Sequence, residues 1–295
     1  MAFDEVDPTL HTGRGHLALA AAVVLALAGL FAVPTVRATA AQFLLLFRVS
    51  SFVAVPVDPS RLDALRSSHL NLDSLIGERV QVLQDPGAPV VAASVEEAAA
   101  RVGFEVEQPM WLPAETQVIE VATTGPRAVQ ITADATRLSQ VMEVLGITDI
   151  EVPAGLDGQT ATIRVPPVVM VRYQHGKRLR TRLIQTTMPE VHLPAGVDLA
   201  SLGEIGLRIL GLPAEDASRF SRAIDWETTM IVPIPPIARS FKEVAVNGHQ
   251  GVLVEYQVKD ESPTTMIIWS TDQKLFGLLS IAGAFDALAM ADSIR

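Results

Sequence analysis

Residues 17–33 read LALAAAVVLALAGLFAV, and this uncharged run decides the architecture of the chain. On its own it lies near the lower limit for a bilayer-crossing helix, and with His16 and Pro34 to Val36 it reaches a comfortable span of about 20 residues. A soluble amphipathic helix would carry a polar face at the helical period, and no polar residue interrupts the run. Residues 16–36 are therefore read as a single transmembrane helix, after a short polar tail at 1–15 and before a juxtamembrane segment at 37–57. The competing membrane reading is a signal peptide, with Arg14 in its n-region and Ala38-Thr39-Ala40 as a small-residue cleavage site. The run is longer than such an h-region needs. A second apolar stretch, AAQFLLLF at 40–47, follows it beside Arg37, so a retained anchor is favoured. Charge does not set the orientation, because Arg14 precedes the span while Arg37 and Arg48 follow it.

The totals bound the rest. The chain's 295 residues suffice for one large or two modest domains with a core of their own. A net charge of -10 argues against a nucleic-acid partner, which needs a positive face to displace counterions. Cys 0 removes disulfides, thiolate zinc sites and cysteine nucleophiles, and leaves the compartment open.

Residues 58–295 are read as an α+β domain, mostly an antiparallel sheet with inserted helices, with a break into two sub-domains near 150–160. Phe52 to Val57 is a short strand, and Asp58-Pro59 starts a helix carrying Leu62, Leu65 and Leu72. Val80 to Leu83 is a strand, and DPGAP at 85–89 is a loop. Ser94 and Glu97 form a capping box for a helix that Gly103 stops. Gln117–Ala122 and Ala128–Thr132 are expected to pair as a hairpin. Asp134 caps a helix with Leu138, Val141, Met142 and Leu145 on one face. Thr160–Val165, Val168–Tyr173 and Leu183–Thr187 are strands. Asp198 caps a helix ending at Gly211, and Pro213 opens another to about Ile224. The prolines of IVPIPPI at 231–237 force an extended chain. Asn247-Gly248 marks a tight turn between two strands, Asp272-Gln273 turns a last hairpin, and Phe285 to Ile294 closes as a helix. Strands joined by tight turns with helices between groups give the α+β class.

Reactive constellations are not legible. The six histidines are scattered, without a metal-ligand pair such as H-E-x-x-H. Neither a G-x-S-x-G elbow nor a phosphate loop occurs. The reading is a binding protein, not an enzyme, with no catalytic, cofactor or metal residue assigned. Two features stand out. Lys177, Arg178, Arg180 and Arg182 follow His175-Gly176, and on a strand the alternate arginines project from one face. They are either a solvated hairpin tip or a contact for anionic headgroups, wall polymer or an acidic partner. Trp111, Trp226 and Trp269 are core aromatics or, if they converge, the lining of a ligand cavity.

Several stretches carry a family likeness: VRATAAQFLLLFRVSSFVAVPVD (36–58), SVEEAAARVGFEVEQPMWLPAE (94–115), IDWETTMIVPIP (224–235), VNGHQGVLVEYQ (246–257) and IIWSTDQKLFGLLSIAGAFDALAMADSIR (267–295). The chain resembles the extracytoplasmic half of transmembrane anti-sigma-factor-like proteins, a bacterial domain of unknown function. That resemblance implies one span at the cell membrane, a cytoplasmic N-terminus and an external sensory or regulatory domain. It also implies a cytoplasmic sigma-binding module, often with a histidine-and-cysteine zinc motif. Only about 15 residues precede the span and there is no cysteine, so that module is expected on a separate sigma-binding protein or upstream of the assigned start, or else the chain binds no sigma factor. The functional expectation is a membrane-anchored regulator acting by binding. The alternative is an exported carrier or binding module for an apolar ligand or envelope polymer.

Overall fold

A computed structural model describes residues 49–68, 79–176, 179–194, 196–257, 262–281 and 283–295. The tail at 1–15, the predicted span at 16–36, Leu72, Lys177 and Arg178 lie outside the described residues. Among the described residues no helix is long and apolar enough to cross a membrane.

The fold is α+β with a mostly antiparallel sheet, and the described residues form fourteen strands and six helices. In chain order the strands are β1 (Ser51–Pro56), β2 (Val80–Gln84), β3 (Val90–Ala92), β4 (Thr116–Thr124), β5 (Arg127–Thr132), β6 (Thr160–Val165), β7 (Val168–His175), β8 (Leu179–Thr187), β9 (Glu190–His192), β10 (Thr229–Ile234), β11 (Ala238–Val246), β12 (His249–Tyr256), β13 (Thr264–Ser270) and β14 (Lys274–Ser280). The helices are α1 (Pro59–Ser67), α2 (Val95–Val102), α3 (Ala135–Val144), α4 (Leu199–Leu210), α5 (Ala214–Ala223) and α6 (Ala284–Asp292).

The helix starts are set by side-chain caps. Asp58, Ser94, Asp134 and Asp198 each accept a hydrogen bond from a first-turn amide. Glu97 completes its box one residue early, accepting from the amide of Ala93 at 2.6 Å. Asn247 and Gly248, with φ of 51° and 83°, make the β11–β12 turn, where two successive positive φ angles match the strand twist.

Three sheets form. One has eight strands in the order β11-β12-β13-β14-β8-β7-β4-β3, one has four in the order β2-β5-β6-β9, and β1 pairs in parallel with β10. The larger two are one strand system interrupted along a line. Each crossing from one to the other passes through proline: the 85–89 loop, Gly125-Pro126, Pro166-Pro167, and Met188-Pro189. Thr124 faces Val168 and Arg127 faces Val165, so residues 125–126 stand opposite 166–167 with none gained or lost. Val168 faces Thr186 and Arg164 faces Glu190, so the register also continues from β7–β8 into β6–β9. Proline has no N–H for the ladder, and a row of prolines at one level parts the sheet without shifting its pairing.

This seam corrects the expected hairpin at 117–132. β4 and β5 lie in different sheets and follow one another along a single interrupted strand. A two-residue reversal needs positive φ in its loop; Gly125 does not have it, and Pro126 is locked out of it. Strands from either side of residues 150–160, where a sub-domain break was expected, pair directly as β5 with β6 and β4 with β7.

The eight-stranded sheet has two different faces. On one, Val171, Leu183, Ile267, Trp269, Phe276 and Leu278 pack against Ala98 and Val102 of α2 and Ala287, Met290 and Ala291 of α6. On the other, Val252, Val254 and Tyr256 of β12, with Leu275 and Leu279 of β14, pack under Val49, Phe52, Val232 and Ile234 of the β1–β10 layer. The outer side of that layer meets α4 and α5 through Val55, Leu207, Leu210 and Ala217. Further along α4, Leu202 and Ile205 join α1 and α3 in a separate cluster around Leu138 and Met142. Helix α4 thus links the β1 layer to the helices beside the four-stranded half.

Gly203 on α4 gives this packing a sharp test. A Cβ built there would lie 2.0 Å from Cζ2 of Trp226, whose ring lies against the helix. Alanine normally adds about 1 kcal/mol to a helix interior relative to glycine. Overpacking of this kind costs about 1–3 kcal/mol or more, so the clash wins. Urea unfolding of the full chain is expected to show Gly203→Ala less stable than wild type by about 1–2 kcal/mol; a more stable variant would refute the described ring position.

Candidate functional site

β7 and β8 bring the cationic residues together. Their antiparallel register sets Arg172 directly opposite Arg182 and Gln174 opposite Arg180. Alternation along a strand puts these four side chains on the same face, the one shared with β1 and β10. Arg180 is exposed, Arg172 and Arg182 are half-buried, and Ile184 continues the row toward the seam. Across β4, Glu120 accepts from Arg172 at 3.0 Å. The side chains of Arg180 and Arg182 have no hydrogen bond or ion pair among the described residues. Burial, then the charges of Arg172 and Arg180, pull the Arg182 guanidinium below its ordinary value, and Glu120 opposes them. A guanidinium so placed is still a cation at any physiological pH.

The sequence singled out Arg180 and Arg182 but missed Arg172 and Glu120. The signal for Arg172 was present, because a hairpin through residues 176–178 fixes which residue of 168–175 faces Arg182. Glu120 depends on the β4–β7 pairing, and its facing is set by an irregularity between Val118 and Glu120.

The three tryptophans stand in separate places. Trp269 is 2% exposed, stacks on Phe276 with centroids 5.0 Å apart, and belongs to the core under α2 and α6. Trp226 packs beside Val55 and Leu207 and donates Nε1–H to the carbonyl of Ser221 at 2.8 Å. Trp111 is at the surface, where its amide donates to Oγ of Ser293 at 3.0 Å.

On the core face of the same strands lies a polar string. Thr116 Oγ1 and His175 Nδ1 are 2.5 Å apart, His175 Nε2 and Thr181 Oγ1 2.8 Å, and Thr181 Oγ1 and Ser280 Oγ 2.7 Å. Thr116 donates its hydroxyl hydrogen to the carbonyl of Pro113. It must therefore accept from His175, which puts the imidazole proton on Nδ1 and leaves Nε2 to accept from Thr181. Thr181 in turn accepts from Ser280. His175, Thr181 and Ser280 are at most 5% exposed, so the string fastens β4, β7, β8 and β14 to one another in the interior.

Elsewhere, an open groove of about 650 Å³ is lined by Asp149, Glu204, Glu215, Ser218, Arg219 and Arg222. Beside it Arg208 pairs with Asp149 at 2.7 Å across the chain, and Arg219 pairs with Asp216 at 2.6 Å within α5. Among the described residues no group of His, Asp and Glu is placed to hold a metal ion.

Burial lowers the His175 pKa below 6.5, with Asp286 opposing. Below about pH 6.5 the unfolded chain takes up a proton that the native chain refuses, so stability present above that pH is lost as pH falls toward the native value. A proton on Nε2 also reverses the donors on that side of the ring, from His175 to Thr181 and from Thr181 to Ser280. Chemical unfolding between pH 7.5 and 5 is expected to show a loss of stability on acidification that is shallower in His175→Gln. An identical slope in both proteins would refute the buried neutral imidazole.

No protein-family model matches the chain, and no curated protein or solved structure shows significant similarity to it.

Proposed function

We propose that the chain is a membrane-anchored extracytoplasmic regulator of the anti-sigma-factor type, acting by binding and transmitting the state of its external domain through the segment that joins the domain to the span. The observation that carries this reading is the placement of residues 49–57. They are the first described residues after the predicted anchor, from which residues 37–48 separate them, and they form an inner layer of the domain between the eight-stranded sheet and helices α4 and α5. Val49 is 1% exposed, Phe52 0% and Val55 3%. Phe52 packs on the eight-stranded sheet, Val55 on α4 and α5.

Backbone contacts hold both ends of β1. The amides of Ser50 and Ser51 donate to the carbonyl of Thr228, Oγ of Ser270 donates to the carbonyl of Val49 at 2.6 Å, and the amide of Asp58 donates to Leu210 at 2.8 Å. A change in the packing of either neighbouring layer therefore acts on the chain where it leaves the domain toward the predicted span. A carrier released or loosely tethered in the envelope has no use for such a connection. The cytoplasmic partner, a sigma factor or a separate sigma-binding protein, follows from the family likeness alone.

Two measurements test this. The intact chain is expected in the membrane pellet of a bacterial host, extracted by detergent and with its N-terminus uncut; processing after Ala40 would end the proposal. A flexible Gly/Ser insertion of about six residues between Arg48 and Val49 should leave the domain folded but disconnect it from a sigma-dependent reporter. Full reporter response with the insertion in place would count against transmission through β1.

A further inference from the structure

We propose that Arg172, Arg180 and Arg182 form a binding site for a phosphate-bearing anion on the open part of the eight-stranded sheet. The geometry comes first. Arg172 and Arg182 are a directly opposed pair, and Arg180 is the next residue of the same row. Like charges directly opposite in a sheet are destabilising. The fold answers them with one carboxylate, Glu120, which engages Arg172. On the other flank of β8 the residue facing Arg182 is Leu279, which offers no acceptor. Among the described residues the guanidinium groups of Arg182, half-buried, and Arg180, exposed, thus have no hydrogen-bonded or ion-paired partner, and water screens the half-buried one less than an open surface charge.

The residue types narrow the ligand. A guanidinium is a planar fork that binds oxyanions through paired N–H donors. Glu120 meets Arg172 through one contact, Nη1 to Oε2 at 3.0 Å. Two further forks side by side are matched best by an anion that presents oxygens in several directions, which a tetrahedral phosphate supplies. Ile184, 38% exposed on the same face, and the half-buried Met170 give an apolar floor beside the charges. That pairing of cationic row and apolar floor suits a phosphate ester with an attached apolar group as well as phosphate itself. The site does not depend on the anchoring or signalling role proposed above.

The test is thermal unfolding of the full chain in neutral detergent, in chloride, in inorganic phosphate at matched ionic strength, and with short-chain phosphatidylglycerol. A rise in melting temperature with inorganic phosphate assigns the site to the free anion or a soluble ester. A rise only with the short-chain lipid assigns it to a headgroup using the apolar floor. Either rise should vanish in the Arg180→Ala/Arg182→Ala double variant. It should weaken about tenfold in affinity in Arg182→Lys, which keeps the charge and loses the fork, corresponding to about 1.4 kcal/mol. The variants' own melting temperatures in chloride report whether they fold. No rise beyond chloride in either arm, or an equal rise in the folded double variant, would overturn the site.

Discussion

A proline cannot donate to a neighbouring strand, and here that defect recurs on four adjacent strands at one level. Without it, residues 116–132 would run as one strand of about 55 Å, far beyond the usual length in a globular domain. The seam cuts each overlong strand into two ordinary ones while keeping a common register, as the pairings of Thr124 with Val168 and Arg127 with Val165 show. It does so at little loss of hydrogen bonding. The amide of Gly125 still reaches the carbonyl of Pro86 at 3.0 Å, and Oγ1 of Thr186 reaches that of Pro167 at 3.1 Å. The two halves then use different cores, with α2 and α6 covering one face of the eight-stranded half and α3 clustering with α1 and α4 apart from it.

The second constraint is the double burial of β1. Parallel strands are normally covered on both faces, and β1 meets that requirement between a sheet and a helix pair. Its side chains serve two separate clusters, so it cannot leave one without leaving both. Truncating one large core aromatic costs about 3–5 kcal/mol, a sizeable part of the roughly 5–15 kcal/mol that holds a domain together. The first strand of the described domain is therefore firmly held in the fold.

Local chemistry was readable from the residues, and pairing was not. Asp58, Ser94, Asp134, Asp198 and the Asn247-Gly248 turn announce themselves because a cap or a positive φ is satisfied within a few residues. The seam was misread at Gly125-Pro126 because two apolar runs separated by two turn-forming residues look alike whether the chain reverses or continues. Only the alignment of Pro126 with Pro166-Pro167 on another strand decides it, and that is a long-range fact. β3 and β9, three residues each, carry too little periodicity to be seen. The candidate site shows the same division. Arg180 and Arg182 share a face by strand alternation alone, whereas Arg172 and Glu120 join them only through pairing across β7 and β4.

The arginine row and β1 stand on the same side of the eight-stranded sheet, with β14 between them. Leu279 faces Arg182 in register and also packs against the cluster that holds Phe52. Leu279 thus adjoins both the proposed anion site and the cluster beneath β1. A ligand shifts a conformational balance only by its difference in affinity for the two states. An anion on Arg182 bears on β1, then, only so far as seating Phe52 changes how Leu279 fills the space beside that guanidinium. Interiors packed to crystal density pass such displacements on instead of absorbing them, and Leu279 is a residue that adjoins both.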